Sequence, residues 1–306
     1  MSDLKITNLA PIVLFVYNRL NHTIKTVEAL KKNTLAKESD LIIYSDYPKN
    51  TNSKQSVDEV REFIKYVDGF KSVEIVYRKV NFGVDRSIVD GVSDVIEKYR
   101  RVIVLEDDLI TSTDFIDYMN RALEYYFNNE RVFSITGVNF PIDIPDSYTE
   151  DVYLGCRCAS WSWATWYNRW EKFDPEINDT VYREFITNKD SVSRFNLGGD
   201  DMSDTLTARV KGRIMTWDIL WCFAHFRNNA YCLYPIESKI SNIGLDGSGE
   251  HCTKKSLKFY TGASNNSIIF PKKINVNDQI VSNLKKLHEY SFLSRIKKVI
   301  KNIVRY

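Results

Sequence analysis

The stretch RVIVLEDDLITS, residues 101–112, decides the fold class of this chain. Four consecutive apolar residues (102–105) run directly into three acids, Glu106, Asp107 and Asp108. A short, continuous apolar run is typical of a strand that is buried on both faces of a parallel sheet. Open α/β sheets bind ligands outside the carboxyl ends of their strands, so the three acids are predicted to lie at a ligand crevice.

The flanking sequence repeats this arrangement of strand and helix. Apolar runs at 11–18, 41–46 and 73–79 predict three earlier strands, and the run at 133–140 predicts a later one. Apolar side chains at helical spacing predict helices at 22–33, 57–67, 88–99 and 115–127. Strands that alternate with helices indicate an α/β fold with a mostly parallel sheet flanked by helices.

Three adjacent carboxylates repel one another, and their charge must be compensated. Mg²⁺ and Mn²⁺ prefer oxygen ligands and commonly take one or two carboxylates together with substrate phosphates. The cluster therefore indicates a divalent cation that also holds a diphosphate and acts on it as a Lewis acid. The alternative is that these acids cap the helix that begins near Thr113, or are simply solvated.

Several motifs in a fixed order carry a resemblance to a known family. They are PIVLFVYNR (11–19), YSD (44–46), NFGVDRSIVDG (81–91), VIVLEDDL (102–109), TWDILW (216–221) and YPIESKISNIGLDGSGEHC (234–252). Over residues 10–252 the chain resembles nucleotide-sugar glycosyltransferases of the Rossmann-like GT-A fold. It looks closest to bacterial surface-polysaccharide enzymes of the family 2 type. It is also similar to eukaryotic β-1,2-N-acetylglucosaminyltransferases, whose acidic motif is likewise Glu-Asp-Asp.

The resemblance implies the residues that bind the donor. The nucleotide-sugar contacts that it implies are Asn18, Arg19, Asp46, Asn81, Gly83, Arg86, Glu106 and Asp107. It implies Asp108 as the ligand of Mn²⁺ or Mg²⁺. The chemistry is compatible, because a carboxylate accepts the uracil N–H and an arginine can bind a phosphate. Three alternatives remain: Asp46 as a turn residue, Arg19 in a surface ion pair, and residues 81–86 as an ordinary strand-to-helix turn.

Inverting sugar transfer needs a general base for the attacking hydroxyl. Asp218, in Thr216-Trp217-Asp218, resembles the catalytic aspartate of the N-acetylglucosaminyltransferases. Asp200 and Asp201, in the stretch LGGDD, are the second candidates. The alternative is that Asp218 is an acid at the start of a helix, where the helix dipole favours it.

Four tryptophans lie within residues 161–170. Sugars stack their apolar faces on aromatic rings, so Trp161 and Trp163 are the candidate acceptor contacts. Tryptophans at this spacing also pack in protein cores, and that alternative stays open.

A second glycine-rich segment, IGLDGSGEH, covers residues 243–251. Backbone N–H groups of such loops cradle phosphates, and the resemblance places Gly247, Ser248 and Gly249 over the diphosphate. A neutral imidazole can ligate a metal, which makes His251 a second, weaker ligand candidate. The alternative is a plain flexible loop.

The charge is distributed unevenly along the chain. From Lys254 to the C-terminus there are twelve Lys or Arg against two acids, a net charge of +10, whereas the first 253 residues carry −8. The last residues, SFLSRIKKVIKNIVRY, place their apolar side chains on one helical face. Such a basic amphipathic helix can lie in an anionic membrane surface, or it can dock on the domain with its lysines in water. The basic residues show no nucleic-acid-binding motif, so nucleic acid is not an expected partner.

Composition also bears on location. The five cysteines (156, 158, 222, 232 and 252) have no disulfide-scaffold spacing and are read as reduced thiols. The first ten residues lack the basic and apolar regions of a signal peptide, and no apolar run is long enough to span a bilayer. The expected location is the cytoplasm, with peripheral attachment to the inner face of the cell membrane through the terminal helix.

The sequence therefore predicts a metal-dependent, inverting glycosyltransferase of bacterial surface-polysaccharide synthesis. Its donor is a nucleoside diphosphate hexose or N-acetylhexosamine, with UDP as the expected nucleotide, and its acceptor is a glycan or a lipid-linked glycan. The predicted transferase domain covers residues 1–253, with a nucleotide-binding half at about 10–130 and an acceptor-binding half at 131–253, followed by a basic tail at 254–306. The alternatives are a non-catalytic glycan-binding protein on the same scaffold and a sugar nucleotidyltransferase.

Overall fold

The computed structural model describes residues 8–247 and 264–289, which form an eight-stranded sheet, a two-stranded sheet and surrounding helices. The strands are β1 (Ile12–Val16), β2 (Asp40–Ser45), β3 (Ser72–Tyr77), β4 (Arg101–Glu106), β5 (Leu109–Thr111), β6 (Val132–Thr136), β7 (Val152–Gly155), β8 (Trp163–Trp166), β9 (Tyr231–Pro235) and β10 (Ile240–Asn242). The α-helices are α1 (Leu20–Lys31), α2 (Thr51–Ile64), α3 (Gly83–Tyr99), α4 (Phe115–Tyr125), α5 (Tyr167–Trp170), α6 (Asp179–Thr187), α7 (Lys189–Phe195), α8 (Met202–Val210), α9 (Asp218–Arg227) and α10 (Asp278–Lys286).

The large sheet has the strand order β3-β2-β1-β4-β8-β6-β9-β7. Strands β1 to β4 are parallel, and β6 is parallel to β9. Only β8 and β7 run against their neighbours. The predicted α/β class with a mostly parallel sheet flanked by helices is confirmed, and the carboxyl ends of β1, β2, β3, β4, β6 and β9 meet at one edge.

The first four strands form because their sequences suit burial on both faces. Residues 102–105 of β4 are almost completely buried, as are all residues of β1. Helix α3 covers the sheet with Ile88, Val92 and Val95, which recur at helical spacing on its buried face. It ends at Arg100, whose left-handed backbone (φ 66°) turns the chain directly into β4.

The second half of the sheet departs from the simple alternation. The predicted strand at 133–140 ends at Thr136, and residues 137–140 form a loop at the carboxyl end of β6. Strand β8 comes from the tryptophan-rich stretch and inserts antiparallel between β4 and β6. This insertion was not predicted, because the stretch has no alternating pattern to indicate a strand.

The small sheet connects the acid cluster to a distant part of the chain. Strand β5, directly after Asp108, pairs antiparallel with β10, so that Leu109 lies opposite Asn242. The ladder continues past the strand, since the Ile243 N–H donates to the Asp108 carbonyl at 2.9 Å. The glycine-rich segment that starts at Ile243 is therefore fixed beside the carboxyl end of β4.

Residues 264–289 pack on the same body. Helix α10 buries Ile280, Val281 and Leu284, and Phe270 packs its ring near those of Tyr118, Tyr125 and Tyr126. The predicted boundary at residue 253 stays a prediction. The predicted terminal amphipathic helix lies outside the described residues, and among those described no helix is long and apolar enough to cross a membrane.

Candidate active site

An ion cluster lies at the carboxyl end of β4. The Arg19 guanidinium, which follows β1, contacts the Asp107 carboxylate, and its Nη2 lies 2.8 Å from Asp108 Oδ2. These strands pair in parallel, so the residues that follow them meet at one edge. The side chains are only 19% (Arg19), 5% (Asp107) and 14% (Asp108) exposed. Water therefore screens these charges much less than it screens a surface pair.

Burial and like charge perturb the acids of the cluster. Burial, together with the neighbouring charges of Asp108 and Asp107, raises the pKa of Glu106 well above its ordinary value. Burial also raises the pKa of Asp107 to about 6, although the adjacent Arg19 charge opposes that shift. The site thus disfavours the charged forms of these two acids, and an added cation would offset that penalty.

The segment after β10 presses against the cluster at Gly244. A Cβ on Gly244 would overlap the Asp108 carboxylate and would lie 3.0 Å from Arg19 Nη1. Only a residue without a side chain allows the backbone to approach this closely. Two residues later, Asp246 Oδ2 lies 3.1 Å from His22 Nε2 on α1. The segment 243–246 and the start of α1 thus form two further walls of the site.

Backbone hydrogen bonds fix the position of the acids. The Thr26 hydroxyl donates to the Asp107 carbonyl at 2.9 Å and accepts from the Leu109 N–H at 3.1 Å. Thr26 is fully buried on α1. It therefore holds the turn between β4 and β5 against that helix.

Asp46, at the end of β2, orders the loop that begins α3. Its carboxylate accepts hydrogen bonds from the N–H groups of Phe82 and Gly83, each at 2.9 Å, and from the Asn81 amide at 3.1 Å. Gly83 has a left-handed backbone with φ 71°, which favours glycine. Asp46 is 6% exposed, and its hydrogen bonds show that it orders the turn before α3. Its predicted contact with the nucleoside stays a prediction.

The other predicted donor residues lie around this edge. Asn18 is half-buried between β1 and Arg19. Arg86 is exposed, with its guanidinium 4.0 Å from the centre of the Phe82 ring. The ring of Tyr47, next to Asp46, is 44% exposed and was missed by the sequence reading. It borders the predicted nucleoside position.

Asp218, the candidate base, begins α9. Its Oδ1 accepts from the Thr216 hydroxyl and from the Ile219 N–H, the latter at 2.9 Å. These bonds orient a half-buried carboxylate at a helix N-terminus. The Asp218 charge is among those that raise the pKa of Glu106, so the two side chains lie within electrostatic reach of each other.

The second candidates for the base have other partners. Asp201 forms a two-pronged ion pair with Arg157, with N–O distances of 2.9 and 3.0 Å. Lys285 Nζ on α10 lies 3.5 Å from Asp200 Oδ1. Both carboxylate oxygens of Asp201 thus accept hydrogen bonds from Arg157, which is a structural role. The identity of the base among the three acids stays a prediction.

The tryptophans divide into two groups. Trp163 is 1% exposed and packs its ring 5.2 Å from Trp217 and 5.5 Å from Trp170. That packing makes Trp163 a core residue, and the predicted acceptor contact is carried forward for Trp161 alone. The ladder between β4 and β8 ends with the pair Val104 and Trp163, and Trp161 lies two residues beyond it, where its carbonyl accepts from the Thr136 hydroxyl at 3.2 Å. Trp161 is half-buried and reaches the neighbourhood of Phe140.

Part of the predicted diphosphate loop lies outside the described residues. These positions are Ser248, Gly249 and His251, so their predicted roles stay predictions. Gly247 is exposed, with a left-handed backbone at φ 91°.

The carboxylate oxygens at this site are the type of ligand that a hard divalent cation prefers. Within residues 8–247 and 264–289, no three His, Cys, Asp or Glu side chains form a ready metal site. Mg²⁺ and Mn²⁺ do not require one, because waters and phosphates commonly complete a shell begun by one or two carboxylates. Asp108, with Asp107 behind it, offers such oxygens at the strand end. Arg19 pairs with both carboxylates and offsets one of their two charges.

Three contacts were missed by the sequence reading. They are the Arg157–Asp201 ion pair, the His22–Asp246 pair and the close approach of Gly244 to Asp108. The last had a signal in the sequence, since glycine often marks a close backbone approach. The other two join residues that are far apart in the chain, and no local pattern indicates them.

Comparisons with known proteins give distant likenesses only. No protein-family model and no curated protein matches the chain. Among solved structures, the chain is similar to TarS from S. aureus, with a TM-score of 0.44 and 9% identity over 75% of this chain. The match covers 36% of TarS, so the chain spans about a third of that protein's length.

A second solved structure is the mannosyltransferase PcManGT from Pyrobaculum calidifontis in complex with GDP-Man and Mn²⁺. The TM-score is 0.41 with 10% identity, covering 72% of this chain and 71% of that one. Likenesses at this level do not assign an activity to this chain. The predicted resemblances to family 2 enzymes and to the eukaryotic N-acetylglucosaminyltransferases stay predictions.

Proposed function

We propose that this chain is a glycosyltransferase of the GT-A type that uses a nucleoside diphosphate sugar, with UDP as the expected nucleotide. The observation that carries the proposal is the cluster of Arg19, Asp107 and Asp108 at the ligand edge of the sheet. Asp218 is proposed to act on the sugar side of that cluster. A guanidinium beside carboxylates at a strand end suits a diphosphate and its counter-cation.

The donor is proposed to lie along the carboxyl ends of β2, β1 and β4. Its nucleoside would rest near the loop that Asp46 orders, with the half-exposed Tyr47 ring available to stack on the base. Its diphosphate would lie against Arg19, which binds phosphate oxygens as a two-pronged donor. The sugar would then face Glu106 and Trp161.

The transfer itself requires one proton acceptor. Asp218 would take the proton of the acceptor hydroxyl while its oxygen bonds to the anomeric carbon. The bond between that carbon and the diphosphate oxygen breaks at the same time, and the sugar inverts. Arg19 would meet the charge that develops on the diphosphate. A divalent cation held by Asp108 would supply Lewis-acid stabilisation of the same charge.

Donor binding and hydrolysis test the proposal most directly. UDP-, GDP-, CMP- and dTDP-sugars would be compared by calorimetry and by release of the nucleotide, with Mn²⁺ or with EDTA. We expect one nucleotide class to bind with Mn²⁺ and to lose its affinity in Asp108→Asn. Asp117→Asn is the matched control, because Asp117 is an acid on α4 that pairs with its helix neighbour Arg121. Absence of binding by every donor would sink the transferase proposal and favour the glycan-binding alternative.

The acceptor is proposed to be a glycan or a lipid-linked glycan at the inner face of the membrane. The support is the net charge of +10 after residue 253 and the amphipathic pattern of the last residues. Sedimentation with vesicles of anionic or neutral lipid would test it. If the protein with its C-terminal tail does not sediment with anionic vesicles at low salt, the proposed membrane attachment is wrong.

A further inference from the structure

Arg19 occupies the place where a counter-cation of the acid pair is needed. Its Nη2 lies 2.8 Å from Asp108 Oδ2 and also contacts the Asp107 carboxylate. It thus bonds the oxygens that the proposed function assigns to a divalent cation. Two cations on one carboxylate oxygen, with little water between them, repel each other strongly.

The surroundings leave Arg19 a restricted set of positions. The backbone at Gly244 lies so close that a Cβ there would come within 3.0 Å of Arg19 Nη1. The Asp107 side chain is almost completely buried behind the guanidinium. When Arg19 leaves the acid pair it must therefore turn towards the open crevice, where the donor's diphosphate is proposed to lie.

The charge balance also depends on what enters the site. Ionised Asp107 and Asp108 carry two negative charges, and Arg19 offsets one of them with its positive charge. A free divalent cation would add two positive charges against the guanidinium, whereas a cation that arrives with a diphosphate brings its own negative charge. The diphosphate also gives the displaced guanidinium a new two-pronged partner. The two ligands should thus enter together more readily than the metal enters alone.

We propose that Arg19 is the resident counter-cation of this site: it excludes a free divalent cation from Asp108 until a nucleoside diphosphate draws it away. This inference rests on the proposed function, and it goes further by assigning the order of ligand entry to one side chain. It predicts positive coupling between metal and nucleotide in the wild-type protein, because each ligand offsets a penalty that the other would meet alone.

Mn²⁺ binding without nucleotide tests this directly, with free Mn²⁺ measured by electron paramagnetic resonance. We expect Arg19→Met to bind Mn²⁺ at least about tenfold more tightly than wild type, since the competing charge is gone. The double variant Arg19→Met with Asp108→Asn should lose that gain. Arg19→Lys should lie between, because it keeps the competing charge but on a shorter side chain without the fixed planar donors of the guanidinium. Mn²⁺ should also raise the melting temperature of Arg19→Met more than that of wild type.

The coupling in the wild-type protein is the second measurement, and it requires no variant to fold. UDP should increase Mn²⁺ affinity in wild type and should do so much less in Arg19→Met. Equal Mn²⁺ affinity in wild type and Arg19→Met, or no gain from UDP in wild type, overturns the inference while nucleotide binding still supports the transferase. Tight Mn²⁺ binding by Arg19→Met without binding of any nucleotide supports the inference and removes the transferase. If nucleotide binds but neither wild type nor Arg19→Met binds Mn²⁺, the inference is wrong. The proposed transferase then stands without its metal dependence.

Discussion

Lys239 Nζ lies 2.6 Å from Asp114 Oδ2, and the lysine side chain is fully buried. The same ammonium donates to the Ser264 carbonyl at 3.1 Å and to the Asn266 carbonyl. A lysine is almost never this buried unless it is paired. This contact joins the start of α4, the residue before β10 and the chain segment that follows residue 263.

Lys239→Met should destabilise the protein strongly. It leaves Asp114 and two carbonyls without their buried donor, and breaking a buried ion pair costs about 3 kcal/mol. Urea unfolding would measure the loss. Lys31→Met is the matched control, because Lys31 pairs with Asp68 at the surface and should change the free energy of unfolding little. Equal effects of the two variants would contradict the structural role of Lys239.

Asp218→Asn should lower turnover and Asp201→Asn should lower thermal stability. If Asp218 is the base, its amide variant loses turnover by about a hundredfold or more while donor affinity stays. Asp201→Asn breaks the ion pair with Arg157, so it should lower the melting temperature and retain turnover per folded molecule. Steady-state kinetics with thermal unfolding would separate the two. Loss of turnover confined to Asp201→Asn would return the role of base to Asp201.

Gly244→Ala should impair donor binding more than folding. The added methyl group would overlap the Asp108 carboxylate and push it away from Arg19. Gly212→Ala is the control, since Gly212 follows α8 and has open space around it. Its left-handed backbone (φ 63°) adds a strain that is absent at Gly244, so the control should lose the more stability from the backbone. Calorimetric titration with nucleotide would compare them. Unchanged nucleotide affinity in Gly244→Ala would place the diphosphate elsewhere.

The contribution of His225 to stability should fall as the pH is lowered from 6.5 to 4, whereas the raised pKa values of Glu106 and Asp107 act in the opposite direction. Burial lowers the pKa of His225 from 6.5 to about 4, and the ring is held between Ser134 and the Trp221 carbonyl. Below pH 6.5 His225 binds a proton in the unfolded chain but not in the folded protein. The stability that this histidine contributes therefore declines from about pH 6.5 to pH 4 and is constant below pH 4. The loss from this group is about 3 kcal/mol.

Urea unfolding at a series of pH values would measure this slope. His225→Gln cannot titrate in that range, so its loss of stability relative to wild type at pH 7 should shrink as the pH falls from 6.5 to 4. An identical slope in both proteins would assign the titration to other groups.

The sequence predicted the first half of the molecule well for a physical reason. Strands β1, β2 and β4 are buried on both faces, so their apolar runs are continuous, and their helices have one apolar face each. The position of the acids followed from that, because parallel strands present their carboxyl ends at one edge. The tryptophan-rich strand β8 and the short strand β5 carry no such pattern and were not predicted.

By itself, the sequence determined the sheet class, the edge that carries Glu106, Asp107 and Asp108, and the charge difference between the body and the tail. Only the tertiary structure decided that Arg19 pairs with Asp107 and Asp108, that Trp163 belongs to the core, and that Gly244 lies against Asp108. Local patterns report burial and backbone preference, which depend on neighbours in the chain. Ion pairs and close approaches join residues far apart in sequence, and the packing of the whole sheet sets them.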